Sequence, residues 1–145
     1  MKKIFIGSDH RGFYLKEKIK NYLKNKYKVI DVGNFNYDPL DDYPDFAKNL
    51  VKNILKEKNS YGILICGTGV GMTIAANRKK GIFCGLVFNK DQAQRAKKED
   101  NINVISLPAD FLTFKKAKEI IDVFLKTKFS RKRKYTQRLK KIDLF

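Results

Sequence analysis

The stretch Cys66-Gly67-Thr68-Gly69-Val70-Gly71 gathers a thiol, a hydroxyl and three residues without side chains. Gly67, Gly69 and Gly71 leave their amides unobstructed. The apolar residues that follow, Met72 to Asn77, predict a helix whose first N–H groups lack intrahelical partners. Amides so arranged can hold an oxyanion or a phosphate. Cys66 stands at the edge of that positive field, which predicts a thiol that ionises more readily than in water. Thr68 can give or take a proton within the same few ångströms. The commoner meaning of a lone cysteine before glycine is a tight turn with a structural thiol; the company of three glycines and a hydroxyl favours a site.

Two familiar phosphate motifs are excluded. No lysine follows the last glycine, as a P-loop requires, and the spacing is G-x-G-x-G rather than G-x-G-x-x-G. Nor does the loop follow the first strand, where a dinucleotide fingerprint lies.

The elements that must position this loop alternate along the chain. Residues 2–7, with Ile4-Phe5-Ile6, predict a buried strand that stops at Ser8-Asp9-His10. Leu15, Ile19, Tyr22 and Leu23 then share a helical face, with lysines between them. Residues 27–32 form a second strand that Gly33 breaks, and 34–42 read as a polar loop. Pro44 opens a helix whose buried face is Ala47, Leu50, Val51, Ile54 and Leu55. Ile63-Leu64-Ile65 is the third strand, 82–88 the fourth and 103–107 the fifth, with 91–99 a mostly polar surface helix. Thr113 caps a helix with core residues Ala117, Ile120, Ile121, Phe124 and Leu125.

Short strands, apolar on both faces and alternating with helices, indicate an α/β fold: a doubly wound, Rossmann-like, five-stranded parallel sheet flanked by helices, with a C-terminal tail helix. The expected strand order is 2-1-3-4-5. Strands one and three are then neighbours, and ligands bind beyond their C-terminal ends. Ser8-Asp9-His10 and the glycine loop should face each other there. A helix cap for Asp9 and an ordinary surface place for His10 are the alternatives.

The chain has 145 residues, the length of one domain, spanning 1–145. Its 43% apolar content suits a globular protein, and no apolar run approaches the ~20 residues that span a bilayer. Asp9 and His10 come too early for a signal-peptide core, so a cytoplasmic protein is expected. A single histidine makes His-based metal clusters and Ser-His-Asp triads hard to build. The formal charge of +17 admits nucleic acid, an acidic surface or an anionic substrate. Lysines scattered through every helix read as solvated faces, so nucleic acid is not the expected main partner. The basic tail, 127–145, carries Tyr135, Leu139 and Ile142 at helical spacing, a stripe suited to packing on a second subunit.

Gly7-Ser8-Asp9-His10-Arg11-Gly12-Phe13 with Leu15-Lys16, Asp42-Tyr43-Pro44, the block 65–77, Asn103-Val104 and the segment 133–138 together resemble the type B ribose-5-phosphate isomerases. That family also includes allose- and galactose-6-phosphate isomerases. The resemblance runs from Met1 to about Arg138. It implies an aldose-ketose isomerase working through a cis-enediol, as a homodimer with a shared active site and without metal or cofactor. By that likeness Cys66 is the base for the C2 proton, Thr68 assists, and Glu99 opens the ring. Asp9, His10, Gly67, Gly69, Val70, Gly71, Asp100 and Asn103 contact the substrate. His10, Arg133 and Arg138 hold the phosphate.

Two departures from the pattern stand out. Glu99-Asp100-Asn101 occupies the place of the usual ring-opening histidine, and Asp110 that of a phosphate-binding arginine. The glutamate is similar to the cysteine-bearing subunit of two-subunit galactose-6-phosphate isomerases. A hexose-phosphate isomerase, half of a heteromer, or a phosphate-sugar or RNA-binding protein without ring opening are therefore the alternatives.

Overall fold

The computed structural model describes residues 2–145. Five parallel strands form one sheet: β1 (Lys3–Ser8), β2 (Lys28–Asp31), β3 (Tyr61–Cys66), β4 (Cys84–Leu86) and β5 (Val104–Pro108). Six helices flank it: α1 (Phe13–Leu23), α2 (Tyr43–Lys56), α3 (Val70–Ala76), α4 (Lys90–Asp100), α5 (Phe114–Lys126) and α6 (Arg133–Ile142). One core lies between the sheet and α1, α4 and α5, around Ile19, Leu23, Ala93, Ile120 and Phe124. The other lies beneath α2 and α3, around Leu50, Val51, Met72 and Ala76. Among the described residues no helix is long and apolar enough to cross a membrane.

The strand order is 2-1-3-5-4, not the expected 2-1-3-4-5. Every residue of β5 is buried, whereas β4 keeps only three paired residues, two of them part-exposed. The strand that buries both faces takes the interior place beside β3, and the short one becomes the edge. Asn77 fastens that edge, donating to Cys84 O (2.9 Å) and accepting from Cys84 N (2.8 Å). The neighbours β1 and β3 are as expected, so their C-terminal ends still meet.

Local signals hold well in α5. The Thr113 hydroxyl accepts from Lys116 N, and all five expected core residues are buried. Two expectations fail. Leu55 is 46% exposed, and Lys16 is fully buried rather than solvated. In the interior Lys16 Nζ donates to both Asp31 oxygens, at 2.9 and 2.7 Å, which offsets the cost of burying it. Burial pushes the Asp31 carboxyl up, but the ammonium groups of Lys16 and Lys20 outweigh it and hold its pKa below the usual range. Among the described residues α6 buries none of its own: Tyr135 and Leu139 are half-buried and Ile142 is 50% exposed, so its apolar stripe is only partly covered in a single chain.

Candidate active site

Strand β3 ends at Cys66, and the chain turns sharply into α3 through Gly69. Gly69 sits at φ 75°, a left-handed conformation that a side chain would strain, and an added Cβ would lie 2.4 Å from Leu86 Cδ1. Its carbonyl is pinned by the hydroxyls of Ser106 (2.6 Å) and Thr73 (2.8 Å). The amides of Thr68, Gly69 and Met72 are turned toward the Cys66 thiol. Beside it, Asp9 leaves β1 with its amide on Ile65 O (3.3 Å) and its carboxylate on the amides of Arg11 (3.0 Å) and Gly12 (3.2 Å). Asp9 is therefore a cap, and it also faces the glycine loop.

A cleft of about 390 Å³ opens here, lined by Asp9, Arg11, Tyr43, Cys66, Gly67, Thr68, Gly71 and Asp110. Cys66, 4% exposed, belongs to that lining, and its thiol faces the amides of Met72, Gly69 and Thr68. The expected easy ionisation is corrected: burial pushes the thiol up and outweighs the amides of Met72, Gly69 and Thr68, while the Asp9 carboxylate adds to the rise. The helix-end field is present, but desolvation is stronger. Asp9 too is raised by burial, against the amides of Gly12 and Arg11 and the charge of His10.

His10 stands next to the cleft with Nδ1 on Asp41 Oδ1 at 2.7 Å. That hydrogen bond raises its pKa, as does Asp9, while burial and Arg11 oppose. Val70 begins α3, its amide on Thr68 Oγ1 (3.2 Å).

The remaining expected site residues lie elsewhere in the same chain. Glu99 and Asp100 line a separate cleft of about 510 Å³ that runs along α4 from Asn89 to Asp100, with Glu99 accepting from Arg95 Nε at 3.1 Å. Burial and Glu99 raise the Asp100 carboxyl, which Arg138 partly offsets. Asn103 is occupied: it accepts from Phe83 N (2.9 Å) and donates to Gly81 O (2.9 Å). It precedes β5, whose Val104 pairs with Gly62, four residues below Cys66. At ~3.3 Å per residue that is roughly 13 Å down the sheet. Arg133 and Arg138 lie on exposed turns of α6.

Three cleft residues had no assigned role in the sequence reading. Tyr43 had a usable signal, since it opens the helix after the second strand. Arg11 and Asp110 pair through the guanidinium, with Nε 3.1 Å from Asp110 Oδ2 and Nη2 on the same oxygen. The pair spans Gly67, where a Cβ would sit 2.6 Å from Arg11 Nε. Asp110, expected as a lost phosphate ligand, instead fixes a cation at the mouth of the cleft. Ninety-nine residues separate the two, so no local pattern announces them.

This arrangement can remove a proton from a carbon beside a carbonyl, with a sulfur base and amide donors for the resulting oxyanion. A family model described as Ribose/Galactose Isomerase matches residues 4–142. A probable ribose-5-phosphate isomerase B of Mycoplasma pneumoniae is 44% identical over 127 residues, covering 87% of this chain and 84% of that one. The crystal structure of a ribose 5-phosphate isomerase from Thermotoga maritima superposes with TM-score 0.95 at 44% identity, covering 99% of both chains. The ribose-5-phosphate isomerase B of Mycoplasma genitalium, solved with bound ribulose-5-phosphate, gives TM-score 0.93 at 42% identity, covering 98% of this chain and 94% of that one. With the family model, the sequence identities and the fold in agreement, the chain belongs to the ribose/galactose isomerase family.

Proposed function

We propose that the chain interconverts ribose 5-phosphate and ribulose 5-phosphate by moving a proton between C2 and C1 through a cis-enediol. One arrangement carries this reading: Cys66 in the cleft lining, with the amides of Met72, Gly69 and Thr68 acting on its thiol, and Thr68 and Asp9 in the same cleft. Cys66 takes the C2 proton of the opened sugar. Negative charge then grows on the substrate oxygen, where the amides of residues 67–71 act as preorganised donors. Thr68 relays the proton between carbon and oxygen, and Asp9 holds a sugar hydroxyl. His10 meets the phosphate, together with Arg133 and Arg138, which anchor the remote end.

Ring opening falls to Glu99, with Asp100 beside it on the substrate, while the Asn103 amide, held by Phe83 N and Gly81 O, serves the fold. In one chain Glu99 lines another cleft, so the working unit is a homodimer in which Glu99 serves the partner's Cys66. The tail 127–145 covers its apolar stripe on that partner. The chain works as one isomerase domain in the cytoplasm, with no cofactor assigned to the step.

The test is conversion of ribose 5-phosphate by the pure protein in D₂O, with ribulose 5-phosphate carrying deuterium at C1 as the expected product. Absence of conversion by folded dimer overturns the reading. The family description also names galactose, and Glu99 stands in the ring-opening place, so hexose 6-phosphates belong in the same assay. Faster turnover of a hexose phosphate would reassign the substrate.

A further inference from the structure

The loop 34–42 is polar and exposed at Leu40 (88%), yet the Asp41 side chain is only 9% exposed. Both its oxygens are engaged inward. Oδ1 accepts from His10 N at 2.9 Å and meets His10 Nδ1 at 2.7 Å, and Oδ2 accepts from Asn34 Nδ2 at 2.8 Å. Asn34, itself buried, is held from three sides. Its Oδ1 accepts from Ser8 Oγ (3.0 Å), its amide donates to Ser8 O (2.9 Å), and its carbonyl takes the buried Lys16 ammonium. A carboxylate whose support is itself buried and hydrogen-bonded keeps a fixed place, so it imposes orientation on the imidazole rather than following it.

We propose that Asp41 is the positioning residue for His10, accepting the hydrogen bond from Nδ1–H so that Nε2 is the nitrogen offered to the substrate's phosphate. This rests on the reading above in which His10 meets that phosphate. Among the described residues Nε2 has no hydrogen-bond partner, so it is free for a ligand. As imidazolium, His10 donates a charge-assisted hydrogen bond from Nε2 to a phosphate oxygen. As neutral imidazole with its proton on the Asp41 side, it presents a lone pair that the phosphate repels. The charged groups facing His10 are Asp41 and Asp9, which favour the cation, and Arg11, which opposes it. Asp41 makes the largest contribution, and the result lies above the ordinary histidine value. Sugar phosphates lose their second proton near pH ~6. Binding is therefore tightest between that ionisation and the titration of His10, and weakens as pH rises through the latter.

His10 is the only histidine, so its ring signals are unambiguous. Long-range ¹H–¹⁵N spectra of the whole dimer across pH should show a midpoint above the free-histidine value and an Nδ1–H tautomer at high pH. Asp41→Asn keeps an acceptor but removes the charge: the midpoint should fall while the tautomer is kept. Asp41→Ala should lose both. In steady state Asp41→Ala should raise KM for ribose 5-phosphate about tenfold with kcat changed less than about threefold, and the alkaline rise of KM should move down with the midpoint. An unmoved midpoint in folded Asp41→Asn overturns the positioning role. A midpoint that moves while the KM profile stays put overturns the contact between His10 and phosphate instead.

Discussion

Cys66 and Cys84 are nearly equally buried, at 4% and 8% exposure, and both pack beneath α3 in the same core. Their chemistry differs because of the backbone around them. Cys66 ends β3 where the glycine turn lets the amides of Met72, Gly69 and Thr68 act on it, and it lines an open cleft. Cys84 begins the edge strand, and burial pushes its thiol up to about 12, with only Thr73 opposing. Desolvation alone makes a thiol inert; donors that accompany it make the anion reachable when substrate arrives.

The sharpest way to break this contrast is Cys66→Ala, which should lower kcat by about 10³ or more, in line with loss of an activated acid–base group and its preorganised setting. The variant should still bind a phosphorylated sugar acid. Full activity in it would reassign the base. Glu99→Gln should cost about 10²-fold, the usual worth of one acid–base residue. Coexpressed with Cys66→Ala, it should recover activity at about one quarter of the sites, because half the random dimers are mixed and each holds one intact site. No recovery would mean that both residues serve the same chain's cleft, or that they never meet.

Alkylation of the free protein sharpens the contrast further. Iodoacetamide should modify Cys66 and spare Cys84, with a rate that still climbs at pH values above the ordinary thiol range, because burial raises Cys66. A rate already level at neutral pH would mean that the amides prevail. The smallest effect is expected from Cys84→Ala: kcat within about twofold and a loss of about 1 kcal/mol in denaturant unfolding, as for a small buried group. A large loss of turnover there would put Cys84 in the reaction.

At the N-terminal ends of the central strands, beside Tyr61, a similar logic applies to Lys97. It is 6% exposed, donates to Asn101 Oδ1 (3.1 Å) and Ile102 O (3.2 Å), and burial lowers its pKa to about 8. Its folded pKa lies below the unfolded one, so the charged form costs stability at neutral pH, and the cost fades as pH rises from about 8 to the unfolded value. Lys97→Met should therefore stabilise by about 1 kcal/mol at pH 7, and less near pH 10. A gain that grows with pH would contradict that assignment.

Much of this molecule was legible beforehand. Alternating strands and helices, the cap and core face of α5, and the meeting of the Asp9 and Cys66 loops all came from short-range patterns. So did the presence of a tail helix with an apolar stripe. The position of β4 was misread because apolar content in 82–88 looks the same for an edge as for a centre. The ionisation of Cys66 was misjudged in sign because the amide field can be read from glycines, while the depth of burial cannot.

The sequence by itself determined which residues bring chemistry and which segments become strands and helices, since hydrogen bonds along a helix and the spacing of apolar residues depend on near neighbours. Only the tertiary structure decided who stands opposite whom. Arg11 found Asp110 across ninety-nine positions, His10 found Asp41 across thirty-one, and Lys16 found its anion inside the protein. Those partnerships depend on how the sheet and its helices pack, because a charge or a proton responds to distance in space and to exclusion of water.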